Sequence, residues 1–174
     1  MSNHKFASWF EHKLVVGPYP GEQTPSWSIM DYQVIINVSA EYYGEHKQWT
    51  RTERHWFPMS EKQNDMGMNS IFGAMVILWQ AERDHKDVYL HCHSGSNRSR
   101  TVRCAYYFMR TGKQLDDPHK SGPFQNKLLA NCDRHYLPAR AEMEAWLRAV
   151  GEGLKTGLTR ELLSISKIAT INNF

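Results

Sequence analysis

A run of mostly β-branched residues at 33–38 constrains the fold more than any other local pattern. Such a run is typical of a strand that is covered on both faces, as in a mostly parallel sheet. Other short strands are predicted at 13–17, 55–57 and 88–90. Apolar residues recur at helical spacing at 69–83, 99–110 and 138–150. Strands that alternate with helices predict a layered α/β fold.

The length of 174 residues and the hydrophobic content of 41% suit one globular domain over 1–174. Residues 113–125 are predicted to form a loop, and Pro138 is predicted to stand in the first turn of the helix that follows. We expect residues 151–174 to form either an extra C-terminal helix or a tail.

Charge, apolar runs and cysteine content limit the classes of partner and the compartment that suit this chain. A formal charge of +3 is too small to indicate a nucleic-acid partner, and no apolar run is long enough to span a membrane. The first residues carry no secretion signal, and three cysteines are an odd, sparse set that suits a reducing compartment. We therefore expect a cytoplasmic protein that binds neither nucleic acid nor membrane.

The segment 88–99 contains the residues with the clearest chemistry, in a predicted strand, a loop and the start of a helix. Cys92 and Arg98 stand in it with five residues between them. Free amide groups of a tight loop and of a helix N-terminus form a cradle for an anion. Gly95 permits a left-handed or closely packed backbone, and Arg98 can bind two phosphate oxygens at once. The same positive field favours the thiolate form of Cys92.

Five residues of this segment resemble the His-Cys-x-x-Gly-x-x-Arg-Ser/Thr signature of the protein tyrosine phosphatase superfamily, and the chain resembles its dual-specificity phosphatases in particular. These residues are His91, Cys92, Gly95, Arg98 and Ser99. The order of elements is similar over 13–150, whereas the motif match is sharp only over 88–99. The resemblance implies an α/β fold with a central mixed, mostly parallel sheet of four to five strands flanked by helices.

The resemblance also implies a mechanism. Cys92 attacks phosphorus and forms a phosphocysteine, which water hydrolyses in a second step. The Ser99 hydroxyl hydrogen-bonds the cysteine sulfur, and His91 orders the loop rather than transferring protons. The residues implied to bind phosphate are His93, Ser94, Gly95, Ser96, Asn97 and Arg98. The mechanism requires no metal and no cofactor.

The general acid of such a mechanism is an open choice in this sequence. Dual-specificity phosphatases carry an aspartate about thirty residues before the nucleophile, and Glu61 stands at that place. Glutamate can donate a proton as aspartate does, although its side chain reaches further. Asp65 is the competing acid, but an aspartate before an apolar helical run is more often a helix N-cap. The third alternative is that there is no dedicated acid.

The implied substrate is a protein or peptide that carries phosphotyrosine, and also phosphoserine or phosphothreonine. A chain of this length has little room for the loop that deepens the pocket of larger tyrosine-specific relatives. The variable loop positions contain no lysine, which phosphoinositide phosphatases often have there. The ending Asn97-Arg98-Ser99 is similar to that of RNA 5′-triphosphatases, so phosphoinositides and RNA 5′ phosphates are alternative substrates.

Two hypotheses from other classes use the same loop. A catalytically weak module that binds phosphopeptides is supported only by Glu61 in the place of aspartate. A rhodanese-type sulfurtransferase also holds a cysteine in an anion-binding loop.

A metal site at His91, Cys92 and His93 is disfavoured, because nothing fixes the distance of further ligands. The candidate further ligands are His85, His119 and His135.

The other two cysteines have a structural and a redox interpretation. Cys104 lies in an apolar helix and is predicted to be a small core residue. A resolving role, in which Cys104 or Cys132 traps oxidised Cys92 as a disulfide, is the alternative.

Overall fold

Among the residues that the structure describes, four short parallel strands form a single sheet. The computed structural model describes residues 13–20, 31–41, 52–115 and 126–157. Its strands are β1 (Leu14–Gly17), β2 (Val34–Asn37), β3 (Glu53–Trp56) and β4 (Val88–His91). They lie in the order β1-β4-β2-β3, and every pair is parallel. This confirms the predicted α/β fold with a mostly parallel sheet.

The register of the strands brings three loops together at one edge of the sheet. His91 at the end of β4 is paired with Gly17 of β1 on one side and with Asn37 of β2 on the other. Segments 17–20, 38–41 and 92–97 therefore all leave the sheet at its carboxyl edge, where open parallel sheets bind their ligands. We call residues 92–97 the Cys92 loop.

Four helices of the described segments accompany the sheet. They are α1 (Met68–Arg83), α2 (Arg98–Thr111), α3 (Lys127–Asp133) and α4 (Arg140–Lys155). The predicted helices at 69–83 and 99–110 are confirmed, and Gly112 ends α2 in the left-handed conformation with φ of 69°. In α4 the prediction needs correction, because Ala139 is the N-cap and Pro138 precedes it rather than standing in the first turn.

The short helix α3 was missed by sequence reasoning. Its 7 residues span about two turns, which is too short for a clear apolar periodicity. The Asn126 side chain caps its first turn by accepting a hydrogen bond from the amide of Leu129 at 3.2 Å. The predicted loop at 113–125 and the predicted helix or tail at 151–174 lie largely outside the described residues, although α4 continues to Lys155.

A buried polar contact joins α1 to α2 and fixes the helix that follows the Cys92 loop. Glu82 of α1 is buried, and it accepts hydrogen bonds from the Tyr106 hydroxyl at 2.5 Å and from Arg110 Nε at 2.8 Å. Buried apolar side chains of the strands and helices form one large core cluster, and a second, smaller cluster contains Val15, Tyr32, Ile35 and Tyr89. Within the described segments, no helix combines the length and apolarity needed to cross a membrane.

Candidate active site

The Cys92 loop joins the end of β4 to the start of α2. The Cys92 sulfur lies at the carboxyl edge of the sheet. Cys92 and Ser99 are both buried, and their Sγ and Oγ atoms are 3.3 Å apart. A hydroxyl at this distance can donate to a thiolate and stabilise its charge. The structure therefore brings together the sulfur and the hydroxyl that the sequence motif predicted to interact.

Gly95 is required by the shape of this loop. Its φ is 69°, which side chains disfavour, and a Cβ atom there would lie 2.4 Å from the carbonyl carbon of Gly17 and 2.5 Å from the nitrogen of Pro18. The amide of Tyr19 also donates to the carbonyl of His93 at 3.0 Å. The Cys92 loop is thus seated directly against the backbone that leaves β1.

We expect Gly95→Ala to destabilise the fold by roughly 2–5 kcal/mol, because it adds a left-handed alanine and a clash with backbone atoms that cannot move aside. Chemical denaturation of the two proteins measures this difference. Gly157→Ala is the matched control, since Gly157 also has a positive φ, of 93°, but a Cβ atom added there would meet none of the described residues within 4 Å, its chain neighbours aside. Equal losses of unfolding free energy in the two variants would show that the clash with the backbone of Gly17 and Pro18 does not contribute.

Arg98 begins α2, and its guanidinium is held beneath the segment that follows β3. The side chain is only 12% exposed, and Nη1 donates to the carbonyl of Met59 at 3.2 Å. Nε lies 3.4 Å from Glu61 Oε1, and Nη1 lies 3.6 Å from Glu41 Oε2. The buried Nε makes no hydrogen bond to any described residue, although the Glu61 carboxylate lies at ion-pair distance from it.

The structure separates the two candidate acids. Glu61 is 45% exposed and contacts Arg98, which places its carboxylate beside the Cys92 loop. Asp65 forms no ion pair with Arg98 in the described part of the chain, and its backbone is paired with Lys62 in an isolated bridge. Asp65 is also not the helix N-cap that the sequence suggested, because Gly67 occupies that position in α1. It lines a separate cavity of about 450 Å³ at the start of α1.

Glu41 is a site residue that sequence reasoning missed. It follows β2 at the end of a tight turn, in which Asn37 Oδ1 accepts hydrogen bonds from the amide and the hydroxyl of Ser39 at 2.8 and 2.6 Å. The indole of Trp56 donates to the carbonyl of Ser39 at 2.9 Å and holds this turn from β3. An Asn-x-Ser turn at a strand end was the only local signal that pointed to this segment.

The histidines next to the sulfur differ in environment. His91 is buried, which lowers its pKa to about 4, so the ring is neutral at pH 7. Its Nδ1 lies 3.3 Å from the carbonyl oxygen of Cys92 and can donate to it, which fits the predicted role in ordering the loop. His93, Ser94 and Ser96 lie at the mouth of the site, where the two serine hydroxyls are 2.6 Å apart.

Cys104 and Cys132 are free and buried like Cys92. Burial raises the pKa of the Cys104 thiol and raises that of Cys132 to about 11. Because thiolates are the attacking species in disulfide exchange, both environments oppose a resolving role. No cluster of three or more His, Cys, Asp and Glu side chains that suits a metal ion occurs in the described segments, and His119 lies outside them.

Comparison with known proteins assigns the chain to a family. The family model of the dual specificity phosphatase catalytic domain matches residues 14–120. The chain therefore belongs to the dual-specificity phosphatase family, whose members are cysteine-dependent phosphatases. A search of curated proteins found no significant match.

Solved structures share the fold at low sequence identity. Tk-PTP in its active form superposes with a TM-score of 0.55 at 15% identity, covering 87% of this chain and 99% of that one. DUSP15 gives 0.54 at 15% identity, with coverages of 87% and 90%. PTPMT1 gives 0.54 at 14% identity, with coverages of 87% and 97%. At these identities the likeness establishes the architecture alone.

Proposed function

We propose that this protein hydrolyses phosphomonoesters of phosphotyrosine, and also of phosphoserine and phosphothreonine, in proteins through a phosphocysteine at Cys92. The observation that carries the proposal is that one loop between β4 and α2 holds Cys92, with Ser99 Oγ 3.3 Å from its sulfur, and ends at the Arg98 guanidinium. That guanidinium is largely buried, and its Nε makes no hydrogen bond within the described segments.

In the first step, the Cys92 thiolate attacks phosphorus, and the bond from phosphorus to the ester oxygen breaks as the S–P bond forms. Arg98 binds equatorial phosphate oxygens, together with amides of the Cys92 loop and of the first turn of α2. Charge on those oxygens is stabilised by donors that are already in place, which is the main contribution of a protein to phosphoryl transfer.

Glu61 protonates the departing oxygen in this scheme. Its carboxyl oxygen is 3.4 Å from Arg98 Nε, where a phosphate oxygen must also bind. The carboxyl group therefore lies beside the guanidinium that binds the phosphate, where it can deliver a proton to the leaving oxygen.

In the second step, water attacks the phosphocysteine, and Glu61 accepts a proton from it. The S–P bond breaks, and the electron pair returns to the Cys92 sulfur. Ser99 stabilises that leaving thiolate by donating its hydroxyl hydrogen across the 3.3 Å separation. Inorganic phosphate is released and the free enzyme is restored.

We expect Glu61→Gln to slow hydrolysis of an alkyl or unactivated phenyl phosphate by roughly 10²–10⁴-fold, the usual contribution of a general acid. A phosphate ester with an activated phenol needs no protonation, so its release should change far less. Initial rates over a series of leaving groups measure the difference.

Asp65→Asn is the matched control for that series, because it removes a nearby carboxylate that lines a different cavity. We expect it to leave both rates close to those of the wild-type enzyme. If Asp65→Asn lowers the rate with poor leaving groups while Glu61→Gln does not, Asp65 is the acid.

Two features support a protein substrate over a polyanionic one. Residues 93–97 contain no lysine to bind additional phosphates. The Glu41 and Glu61 carboxylates also lie within 4 Å of Arg98, and they would repel a second phosphate group on the same ligand. PTPMT1, which shares this fold, has been crystallised with PI(5)P, so a lipid substrate is the principal competitor.

The proposal is tested by activity profiling over phosphopeptides, phosphoinositides and RNA with 5′ phosphates, each with Cys92→Ser as the blank. We expect phosphotyrosine peptides to give the highest kcat/KM, with phosphoserine and phosphothreonine peptides measurable. A higher kcat/KM for phosphoinositides or RNA ends would assign the enzyme to a non-protein substrate.

A further inference from the structure

The side chain of Asn131, on α3, reaches the end of the Cys92 loop. Asn131 is fully buried, and its Nδ2 donates two hydrogen bonds of 2.8 Å. One bond goes to Oδ1 of Asn97, the last residue of the Cys92 loop, and the other goes to Thr101 Oγ1 in the first turn of α2. A single amide group thus bridges the loop and the helix that follows it.

Thr101 completes the contact by holding the backbone of the same loop residue. Its hydroxyl donates to the carbonyl of Asn97 at 2.9 Å, and its amide donates to that carbonyl at 2.8 Å. Asn97 is therefore fixed at both its side chain and its carbonyl. Its backbone angles, φ −128° and ψ −74°, are neither helical nor regular strand values, so they depend on these contacts.

The torsion angles of Asn97 determine where the next two residues point. Arg98 carries the guanidinium, and Ser99 carries the hydroxyl that lies 3.3 Å from the Cys92 sulfur. Small displacements of catalytic groups are costly, since a shift of about 1 Å can reduce a rate by roughly 10²-fold. The network is connected to both groups through the backbone of Asn97, and its hydrogen bonds involve neither the guanidinium nor the Cys92 sulfur.

The chemistry of Asn131 indicates a role other than packing. Its Oδ1 is buried and has no hydrogen-bond partner among the described residues. A buried amide with one unpaired oxygen costs stability that an apolar side chain of the same size would not. Residue 131 also lies beyond the segment 14–120 that matches the family model.

We propose that Asn131 is a positioning residue that sets the orientation of Arg98 and Ser99 through Asn97 and Thr101. This inference rests on the proposed phosphatase function and extends it to a helix outside the matched domain. In this proposal, α3 holds the Cys92 loop in the geometry that binds phosphate.

The test compares Asn131→Leu, which keeps the side-chain size, with Thr101→Val, which deletes only the hydroxyl. We expect each to lower kcat on an aryl phosphate by roughly 10–100-fold and to weaken inorganic phosphate inhibition, because the guanidinium is misplaced. Thr101→Ser restores the hydroxyl and should recover most of the lost kcat. If Asn131→Leu does not fold, Thr101→Val against Thr101→Ser decides the question.

Asn126→Ala is the control for mere loss of stability in α3, because Asn126 caps that helix and its other side-chain hydrogen bonds go to Gln114 and Leu115, away from the Cys92 loop. We expect it to lower Tm while leaving kcat and phosphate inhibition unchanged. The inference is overturned if kcat falls no further in Asn131→Leu and Thr101→Val than it does in Asn126→Ala.

The result also separates this inference from the proposed function. If the wild-type protein hydrolyses no phosphate ester, the proposed function fails, and the affinity for inorganic phosphate, measured by calorimetry, then decides the role of Asn131. Weaker phosphate binding in Asn131→Leu than in Asn126→Ala supports the positioning role, and equal binding in the two variants contradicts it.

Discussion

We expect Cys92→Ser to reduce turnover of phosphate esters by roughly 10⁴-fold or more while inorganic phosphate still binds. A serine hydroxyl at this position is a far weaker nucleophile than a thiolate. It therefore cannot form the covalent bond to phosphorus that the first step requires. Phosphate affinity persists because Arg98 and the loop amides are unchanged. Steady-state rates and calorimetric phosphate titration measure the two quantities separately.

Cys104→Ser is the matched control for this substitution, since Cys104 is an equally buried thiol in α2. It makes the same exchange of thiol for hydroxyl without touching the Cys92 loop. We expect Cys104→Ser to keep turnover within a small factor of the wild-type rate. Substantial turnover by Cys92→Ser would mean that Cys92 is not the nucleophile.

Arg98→Lys should damage both binding and catalysis. We expect kcat to fall by roughly 10²–10³-fold and phosphate affinity by roughly 10-fold or more. A guanidinium can donate to the carbonyl of Met59 through Nη1 and still present other N–H groups to phosphate, whereas an ammonium cannot form the planar pair of bonds. The measurement is kcat together with inhibition by inorganic phosphate.

The control for this charge-conserving change is Arg103→Lys, further along α2. The substitution keeps the charge of the helix the same, and residue 103 lies outside the Cys92 loop. We expect near wild-type kinetics from Arg103→Lys. A wild-type phosphate affinity in Arg98→Lys would show that the guanidinium does not bind the substrate phosphate.

The local features of the site were predictable because they are encoded in one continuous segment. Cys92, Gly95 and Arg98 stand between a buried strand and an amphipathic helix, and that pattern implies the turn that joins them. The general place of Glu61 also followed from its spacing to Cys92. The parallel arrangement of the strands followed from the doubly buried run at 34–37.

The remaining site residues were not predictable, because their positions depend on contacts between distant parts of the chain. Glu41 reaches Arg98 because β2 and β4 are neighbours in the sheet, and Trp56 on β3 fixes the turn that carries it. Asn131 reaches Asn97 because α3 packs on α2, and α3 itself has too few residues to show a pattern.

The prediction that Asp65 caps a helix was wrong for a similar reason. Lys62 and Asp65 are paired in an isolated bridge, and the helix begins three residues after Asp65, at Met68, with Gly67 as its N-cap. That pairing is a tertiary feature of the segment after β3, and the residue types around Asp65 do not reveal it.

The most direct measurement of the central claim is the trapping of the covalent intermediate. The protein is mixed with an aryl phosphate, quenched with acid in the first turnover, digested and examined by mass spectrometry. We predict one phosphoryl group on the peptide that contains Cys92, present in Glu61→Gln and absent in Cys92→Ser. A phosphoryl group on another residue, or turnover in which the Cys92 peptide stays unmodified at every quench time, would contradict the account.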